Sequence, residues 1–345
     1  MTDFNAIAAA LSESGKSRIL VFGDFALDKY LYIDPDRDEP SIETGLTAWQ
    51  VHGKRMSAGA GGNVAANLRA LGAEVSCISL IGDDGEGYEL LRCLNAIGAD
   101  TTHMVHGAGL CTCTYTKPMR LQSDGSWKEM NRLDFRNFTP PPMALQEQLV
   151  ENLKACLPLV DAVLLVDQFS QRNLGTITDY VREQLNQLAM EHPGVLFFVD
   201  SRAFSGEYRN MIVKCNNHEL LALSGGTHKA EDSDALIRQA RLLGLKNNAS
   251  FVVTRGSKGI MVLDAAQVWN VDGVKVSGPL DIVGAGDSAS AGFVLGLTRG
   301  LSPRQAAMVG CCVSSITIQQ IGTTGTATVP QVLDRLEAYL QGKTV

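Results

Sequence analysis

Short apolar runs and helical patterns alternate along most of the chain. The apolar runs predict strands at 18–24, 75–82, 162–167, 195–200, 251–256 and 259–264. Apolar residues at three- and four-residue spacing predict helices near 61–71, 84–97, 143–157, 172–190, 231–244, 287–299, 303–320 and 330–341. Several strands are apolar without interruption, which is typical of strands covered by helices on both faces. The pattern predicts an α/β fold with a doubly wound, mainly parallel sheet flanked by helices.

Two stretches depart from this alternation. In residues 29–57 and 111–134, polar and apolar positions alternate, which predicts exposed strands outside the main sheet. Asp124 and Gly125 indicate a hairpin turn between two of these strands. We expect the two stretches to form a small β-lid within one domain spanning 1–345. The lid would cover the carboxyl edge of the sheet, where α/β enzymes bind their ligands.

Composition and charge narrow the function classes. The chain is 45% apolar and 19% charged, as in folded globular proteins. Its net charge of −7 argues against a sequence-independent nucleic-acid binder, although a local basic pocket for a small anion is compatible with it. The apolar runs fall short of the roughly 20 residues of a membrane span. The first residues lack the basic start of a signal peptide and instead predict an amphipathic helix capped by Thr2 or Asp3. Eight cysteines without a CxxC pair suit free thiols in the cytoplasm.

Residues 14–17, with the sequence SGKS, look like the end of a phosphate-binding P-loop. That motif needs a glycine where this chain has Ala10, and it needs a strand before the loop. The predicted strand instead follows the motif, at Arg18. We therefore reject the P-loop interpretation.

A first glycine-rich segment carries candidate binding chemistry. Gly61 and Gly62 allow a close backbone approach, and Asn63 follows in the first turn of a predicted helix. An amide offers a donor and an acceptor to neighbouring hydroxyl groups, so one interpretation is a sugar contact. The other is a tight loop that packs a helix closely. Asp24 and Asp28 follow the first strand and are either carboxylates that accept hydrogen bonds from a sugar or parts of an exposed turn.

A second segment, 281–297, carries candidate catalytic chemistry. Gly284, Ala285 and Gly286 have little or no side chain, so their amide groups at a helix start could bind an anion. Asp287 stands beside them, where its charge would weaken a plain anion site. A phosphotransferase needs such a carboxylate, because a base must take the proton of the attacking hydroxyl. The alternative is an ordinary helix start.

Both segments resemble the two signatures of the ribokinase/PfkB carbohydrate kinase family. The matching residues are Gly61, Gly62, Asn63, Gly72 and Gly82, and then Asp281, Gly284, Ala285, Gly286 and Asp287. The resemblance covers about 17–335 and implies a ribokinase-like fold with a β-lid. It also implies transfer of the γ-phosphate of ATP to a sugar or a related hydroxyl, with Mg²⁺. The chain is most similar to the heptose 7-phosphate kinase branch, whose Gly-Asp-x-x-Leu-Asp-x-Tyr pattern resembles residues 23–30.

The resemblance implies roles for individual residues. Asp287 would be the catalytic base, with Gly284, Ala285 and Gly286 in the anion hole. Asn216 and Glu219 would organise magnesium and the phosphates, and Asp281 would belong to a site for a monovalent cation such as K⁺. The remaining ATP contacts would come from Thr254, Arg255, Gly256 and Cys311.

The chain also departs from the family pattern. Ile282 replaces the usual Thr, and Cys311 stands where the heptose 7-phosphate kinases usually carry Asn. In the lid, Lys117, Arg120 and Arg132 suit an anionic acceptor such as a sugar phosphate. A nucleoside or ADP-dependent kinase of the same fold and a non-catalytic sugar-binding regulator are the alternatives. An exposed lid edge predicts a homodimer through the lids, and we expect no fused nucleotidyltransferase.

Overall fold

The computed structural model describes residues 2–12, 17–223 and 232–345. The strands are β1 Arg18–Gly23, β2 Phe25–Ile33, β3 Glu39–Pro40, β4 Thr47–Ala48, β5 Val51–Ala60, β6 Glu74–Ile78, β7 Leu80–Gly82, β8 Val105–Gly107, β9 Thr114–Leu121, β10 Trp127–Glu129, β11 Leu133–Phe135, β12 Ala162–Asp167, β13 Leu196–Ser201, β14 Ile212–Asn216, β15 Ser250–Thr254, β16 Ile260–Leu263 and β17 Val268–Val271. The α-helices are α1 Thr2–Ser12, α2 Gly61–Ala70, α3 Gly85–Ala96, α4 Met143–Cys156, α5 Asp179–Glu191, α6 Asn217–Ala222, α7 Ser233–Asn247, α8 Ala285–Thr298, α9 Pro303–Thr317 and α10 Val329–Leu340. Residues 14–16 of the rejected P-loop motif and residue 231 of a predicted helix lie outside the described residues.

The main sheet has eight strands in the order β17-β16-β15-β14-β13-β12-β1-β6. The pairs from β15 to β6 are parallel, whereas β16 and β17 pair antiparallel at one edge. One hydrophobic core includes residues of α1, α2, α8, α9 and α10 on one side of the sheet, and a second includes residues of α4, α5 and α7 on the other. Alternate β1 residues enter the two cores, which explains why this strand is apolar throughout. The predicted α/β class with a mainly parallel, doubly wound sheet is confirmed.

A second sheet forms the predicted β-lid. Its strands lie in the order β10-β9-β2-β5, and β11 also pairs with β9. β2 follows β1 after a single residue, so the lid begins at Phe25, earlier than the predicted 29–57. The turn between β9 and β10 contains Asp124 and Gly125 as predicted, and Gly125 has a φ of +79°. The lid is therefore continuous in the chain with the end of β1, where the candidate site residues begin.

The element boundaries differ from the predicted ones in three places. The helix predicted near 172–190 begins only at Asp179, because the side chain of Thr178 caps it by accepting the N–H of Val181. The strand predicted at 75–82 is two strands, β6 and β7. The sequence pattern does not predict β8, β14, β17 or α6. Lys214 interrupts the apolar run of β14, and Asn270 interrupts that of β17. No helix among the described residues is long and apolar enough to cross a membrane.

Candidate active site

The first turn of α8 is shaped by two glycines. Gly284 precedes the helix with a φ of +78°, a left-handed conformation that favours glycine. A Cβ atom on Gly286 would lie 2.9 Å from Nζ of Lys214, so a side chain at this position would displace the lysine. The N–H of Ala285 bonds to the carbonyl of Ile282, so part of the predicted amide nest is used internally. The N–H groups of Gly286 and Asp287 lack intrahelical acceptors at the positive end of the helix and can bind an anion.

Asp287 connects the two glycine-rich segments. Nδ2 of Asn63, in the first turn of α2, donates a hydrogen bond of 3.0 Å to Oδ2 of Asp287. The residue keeps some solvent exposure, as a base that meets a substrate must, although its carboxyl group is surrounded by protein. Burial, followed by the charge of Asp200, raises the pKa of Asp287 to about 6, against the lowering effects of Asn63, Lys214 and Arg202. An ionised carboxylate with this pKa is well suited to accept a proton near neutral pH.

A buried ion pair lies beneath the start of α8. Asp200 of β13 and Lys214 of β14 are paired across the sheet, and Oδ2 of Asp200 lies 2.7 Å from Nζ of Lys214. Burial lowers the pKa of Lys214, but the charges of Asp200, Asp287 and Glu219 outweigh it and raise this pKa. Lys214 is therefore a permanent cation beside the anion-binding turn. Neither residue of this pair is a predicted site residue.

Asn216 and Glu219 form the start of α6. The side chain of Asn216 accepts the N–H of Glu219 at 2.9 Å, and Oε2 of Glu219 accepts the N–H of Asn216 at 2.7 Å. The Asn-x-x-Glu motif is thus a capping box, which fixes the direction of both side chains. Within the described ranges no cluster of three or more His, Cys, Asp or Glu side chains could hold a metal by itself. One carboxylate nevertheless suits magnesium, which keeps several waters and binds substrate phosphates.

Asp281 joins two loops through hydrogen bonds of its carboxylate. Its Oδ1 accepts the N–H of Val283 at 3.1 Å, and its Oδ2 accepts the N–H of Gly322 at 3.2 Å. The same loop brings Thr324 close to Gly284, where a Cβ atom would lie 3.3 Å from the threonine methyl group. Asp281 therefore helps to position the loop before α8.

The predicted nucleotide residues at the end of β15 adjoin the Asn-x-x-Glu motif, because Thr254 is the register partner of Asn216. Thr254 ends β15, and Gly256 has a φ of +58° in the turn that follows. Nη2 of Arg255 donates to the carbonyl of Lys258 at 3.2 Å, and burial lowers the pKa of Arg255. Cys311 lies in α9, and burial raises the pKa of its thiol to about 12. A neutral thiol here cannot make the two hydrogen bonds of an asparagine amide to an adenine ring.

Asp24, Gly61 and Gly62 have evident structural contacts. Oδ2 of Asp24 accepts backbone N–H groups of Gln168 and Phe169, and its Oδ1 accepts the N–H of Thr176. Burial and the charge of Asp167 raise the pKa of Asp24 to about 7. Cβ atoms on the two glycines would lie 2.6 Å from the Phe25 ring and 2.4 Å from Cβ of Ala58. These glycines therefore allow α2 to pack directly on the lid strands, which fixes the position of Asn63.

The lid presents Asp28 and Lys117 on one face. Oδ1 of Asp28 lies 2.7 Å from Nζ of Lys117, and the hydroxyl of Tyr30 lies 3.1 Å from the same nitrogen. Arg55 lies on this face too, and its Nη2 donates to the carbonyl of Gly322 at 3.0 Å. Because Gly322 belongs to the loop held by Asp281, this face looks towards α8. Asp28 and Asp24 are not brought together.

The predicted trio of lid cations is not a single cluster. Lys117 and Arg120 are three positions apart in an uninterrupted strand, so alternation places them on opposite faces. Arg120 pairs with Asp38 at 2.5 Å, away from the face that looks towards α8. Arg132 lies between β10 and β11, forms two hydrogen bonds with Asp134 and lies over the ring of Tyr115. The expectation that Arg120 and Lys117 bind one anion is therefore corrected by the strand geometry.

The site combines a partly exposed base, an anion-binding helix start and a glycine-rich segment under a lid. This combination is typical of phosphotransferases that act on small hydroxyl compounds. Comparison with known families agrees, because residues 17–330 match the model described as "pfkB family carbohydrate kinase". The chain belongs to the pfkB family and is a sugar kinase.

Individual relatives support this assignment. The "Bifunctional protein HldE" of Methylobacillus flagellatus is 30% identical over 94% of this chain, and that of Mesorhizobium japonicum is 27% identical over 91%. This chain spans only 63% and 61% of the length of those relatives.

Solved structures share the fold at lower identity. Arabidopsis thaliana ribokinase, solved with ribose and ATP, has a TM-score of 0.67 at 19% identity, covering 93% of this chain and 99% of its own. Escherichia coli phosphofructokinase-2, solved with substrates and products, has a TM-score of 0.67 at 20% identity, covering 94% and 99%. The predicted ribokinase-like fold is confirmed by both.

Proposed function

We propose that this sugar kinase transfers the γ-phosphate of ATP to a hydroxyl of a sugar phosphate, with a heptose 7-phosphate-like compound as the acceptor class. The observation that carries the proposal is the hydrogen bond between Asn63 and Asp287. It joins the segment that suits a sugar hydroxyl to the carboxylate that suits a general base. The ATP-bound ribokinase supports ATP as the donor, and the HldE relatives and residues 23–30 support the acceptor class.

In this proposal Asp287 takes the proton of the attacking hydroxyl. The amide of Asn63 orients one carboxylate oxygen, which leaves the other to face the acceptor. The N–H groups at the start of α8 and the ammonium group of Lys214 stabilise the negative charge of the transferring phosphoryl group. Lys214 needs no large movement for this role, since Asp200 already holds its ammonium group in place.

Asn216 and Glu219 are the residues that would hold Mg²⁺ with the phosphates of ATP. Magnesium supplies charge neutralisation of those phosphates when it is bound. Asp281 would lie beside a monovalent cation such as K⁺, as the resemblance to the family implies. Its carboxylate connects the two loops in front of α8. We place the enzyme in the cytoplasm, where ATP is available.

The protein is proposed to form a homodimer in which the lids of the two subunits contact each other. Apolar side chains on and next to its strands are exposed, among them Trp49, Leu133 and Phe135 at 45%, 56% and 49%. β11 is a short edge strand of this sheet. Exposed edge strands with apolar side chains are commonly covered by a partner chain.

Asp287→Asn tests the proposed reaction. Asparagine keeps the size of the side chain but cannot accept the proton, and loss of a general base typically costs about 10²–10⁴ in rate. We expect kcat with the best acceptor to fall at least about a hundredfold, while ATP affinity, measured by calorimetry, changes little or improves because a like charge is removed. Product formation is followed as ADP release with a panel of sugars and sugar phosphates.

The matched control is Asp334→Asn, an exposed position on α10 away from the site. It should keep wild-type kcat. If Asp287→Asn keeps more than about a tenth of wild-type kcat with chemistry rate-limiting, the base lies elsewhere. Wild-type protein that binds sugars without releasing ADP would instead favour the sugar-binding regulator.

A further inference from the structure

Three lid side chains form a layered contact on the face that looks towards α8. The register of the lid sheet places Tyr30 of β2 opposite Lys117 of β9 on one side and opposite Arg55 of β5 on the other. The guanidinium carbon of Arg55 lies 4.0 Å from the centre of the Tyr30 ring, and Nζ of Lys117 lies 4.7 Å from it. Two cations therefore share one aromatic ring, an arrangement in which each gains attraction from the ring but both repel each other.

The charges of these cations are compensated unequally. Lys117 pairs with Asp28 at 2.7 Å, and Arg120 and Arg132 pair with Asp38 and Asp134. Arg55 has no carboxylate partner among the residues that the structure describes. Its hydrogen bond goes to the neutral carbonyl of Gly322. Arg55 therefore differs from the other three cations, because none of the described residues pairs its charge with a carboxylate.

The side-chain hydrogen bond of Arg55 connects it to the loop in front of α8. The side chain reaches from the lid to the loop of Gly322, and the N–H of Gly322 is bound by Asp281 just before α8. An acceptor whose reacting hydroxyl lies at Asp287 would extend outwards between this loop and the lid. A guanidinium group there can form two parallel hydrogen bonds to a phosphate monoester.

We propose that Arg55 is a specificity-determining residue that binds the phosphate group of the acceptor, with Lys117 on the other side of the Tyr30 ring. This inference rests on the proposed kinase function. It keeps the predicted Lys117 and puts Arg55 in the place of Arg120, which lies on the other face of the lid. Phosphate binding would relieve the repulsion between the two cations. An acceptor without a phosphate would leave it in place.

The test compares Arg55→Ala with Lys54→Ala. Lys54 is the neighbouring residue on β5, points to the opposite face and is largely exposed, with its nitrogen 4.0 Å from Glu89. KM and kcat are measured for hexose 6-phosphates and heptose 7-phosphates, for the matching free sugars, for sugar acids with a carboxylate, and for ATP. Arg55→Lys is included because it keeps the charge but loses the bidentate geometry.

We expect Arg55→Ala to raise KM for sugar phosphates by about tenfold or more, the effect of losing a charge-assisted hydrogen bond. KM for ATP and for free sugars should stay within about twofold, so the preference for phosphorylated acceptors falls. Arg55→Lys should recover part of this preference, and Lys54→Ala should match wild type.

An unchanged preference in Arg55→Ala, or an equal loss in Lys54→Ala, would overturn the inference. A wild-type preference for free sugars or for sugar acids would overturn it together with the proposed sugar phosphate acceptor, although transfer of the γ-phosphate of ATP to a sugar hydroxyl would stand. Failure of the wild-type protein to phosphorylate any sugar or sugar phosphate would instead reject the proposed function.

Discussion

The basicity of Asp287 should depend on Asp200, and Asp200→Asn tests this dependence. Burial is the largest cause of the raised pKa of Asp287, and the charge of Asp200 is the second. Together they raise the pKa from 3.8 to about 6, against lowering by Asn63, Lys214 and Arg202. Removing the charge of Asp200 should therefore lower the pKa of Asp287, by on the order of one unit or about 1.4 kcal/mol. Lys214, freed from Asp200, would lower the same pKa further.

The pH dependence of kcat/KM for the acceptor measures this shift. Only ionised Asp287 can accept a proton, so the rate falls as the pH decreases through its pKa. In Asp200→Asn the acid limb should therefore move to lower pH. A phosphorylated acceptor also ionises with a pKa of about 6, but that effect is identical for both proteins and cancels in the comparison. An acid limb that stays in place or moves to higher pH, in a variant with normal thermal unfolding, would refute this account of Asp287.

Two further predictions concern the lid. Arg120→Ala should leave the acceptor KM within about twofold. It should also lower the free energy of unfolding in urea by about 1–3 kcal/mol, because Asp38 loses its partner in a mostly buried pair. A rise in KM of about tenfold would contradict the placement of Arg120 on the lid face that looks away from α8. The chain should sediment as a dimer at micromolar concentration. Leu133→Asp should yield monomers, whereas Leu245→Asp, which replaces an exposed leucine on α7, should leave the dimer intact. A monomeric wild-type protein would contradict pairing of the lids.

The sequence predicts those parts of the fold that depend on local pattern. Most strands of the main sheet, the lid and the helix whose first turn contains Asp287 follow from apolar periodicity and glycine motifs. β14 does not, because Lys214 interrupts its apolar run, and the buried Asp200 beside it makes that lysine tolerable. A charged residue such as Lys214 inside an apolar strand could have indicated a site residue. That inference requires the strand to be predicted, and the same charge prevents its prediction.

The site is predictable where residues follow a motif and not where they meet through space. Asn63 and Asp287 each stand out locally, but their contact joins positions 224 residues apart. The opposite faces of Lys117 and Arg120 could have been inferred from their three-residue spacing in a strand. The position of Arg55 next to Tyr30 could not have been inferred from the sequence. It depends on the register between β2 and β5, which contains an irregularity at Tyr32 and Ile33.

The neutral partner of Asp287 is essential to its proposed role. A lysine or arginine in place of Asn63 would also orient the carboxylate, but a cation at hydrogen-bond distance typically lowers a carboxyl pKa by about 1–3 units. That would return the pKa of Asp287 towards 3.8 and weaken it as a base. The amide orients the same oxygen with a smaller effect. Asp200 complements this by holding Lys214 at 2.7 Å, so the cation needed for the phosphoryl group is kept from neutralising the base. The site can thus contain a strong positive charge and a basic carboxylate side by side, because a second carboxylate holds the positive charge in place.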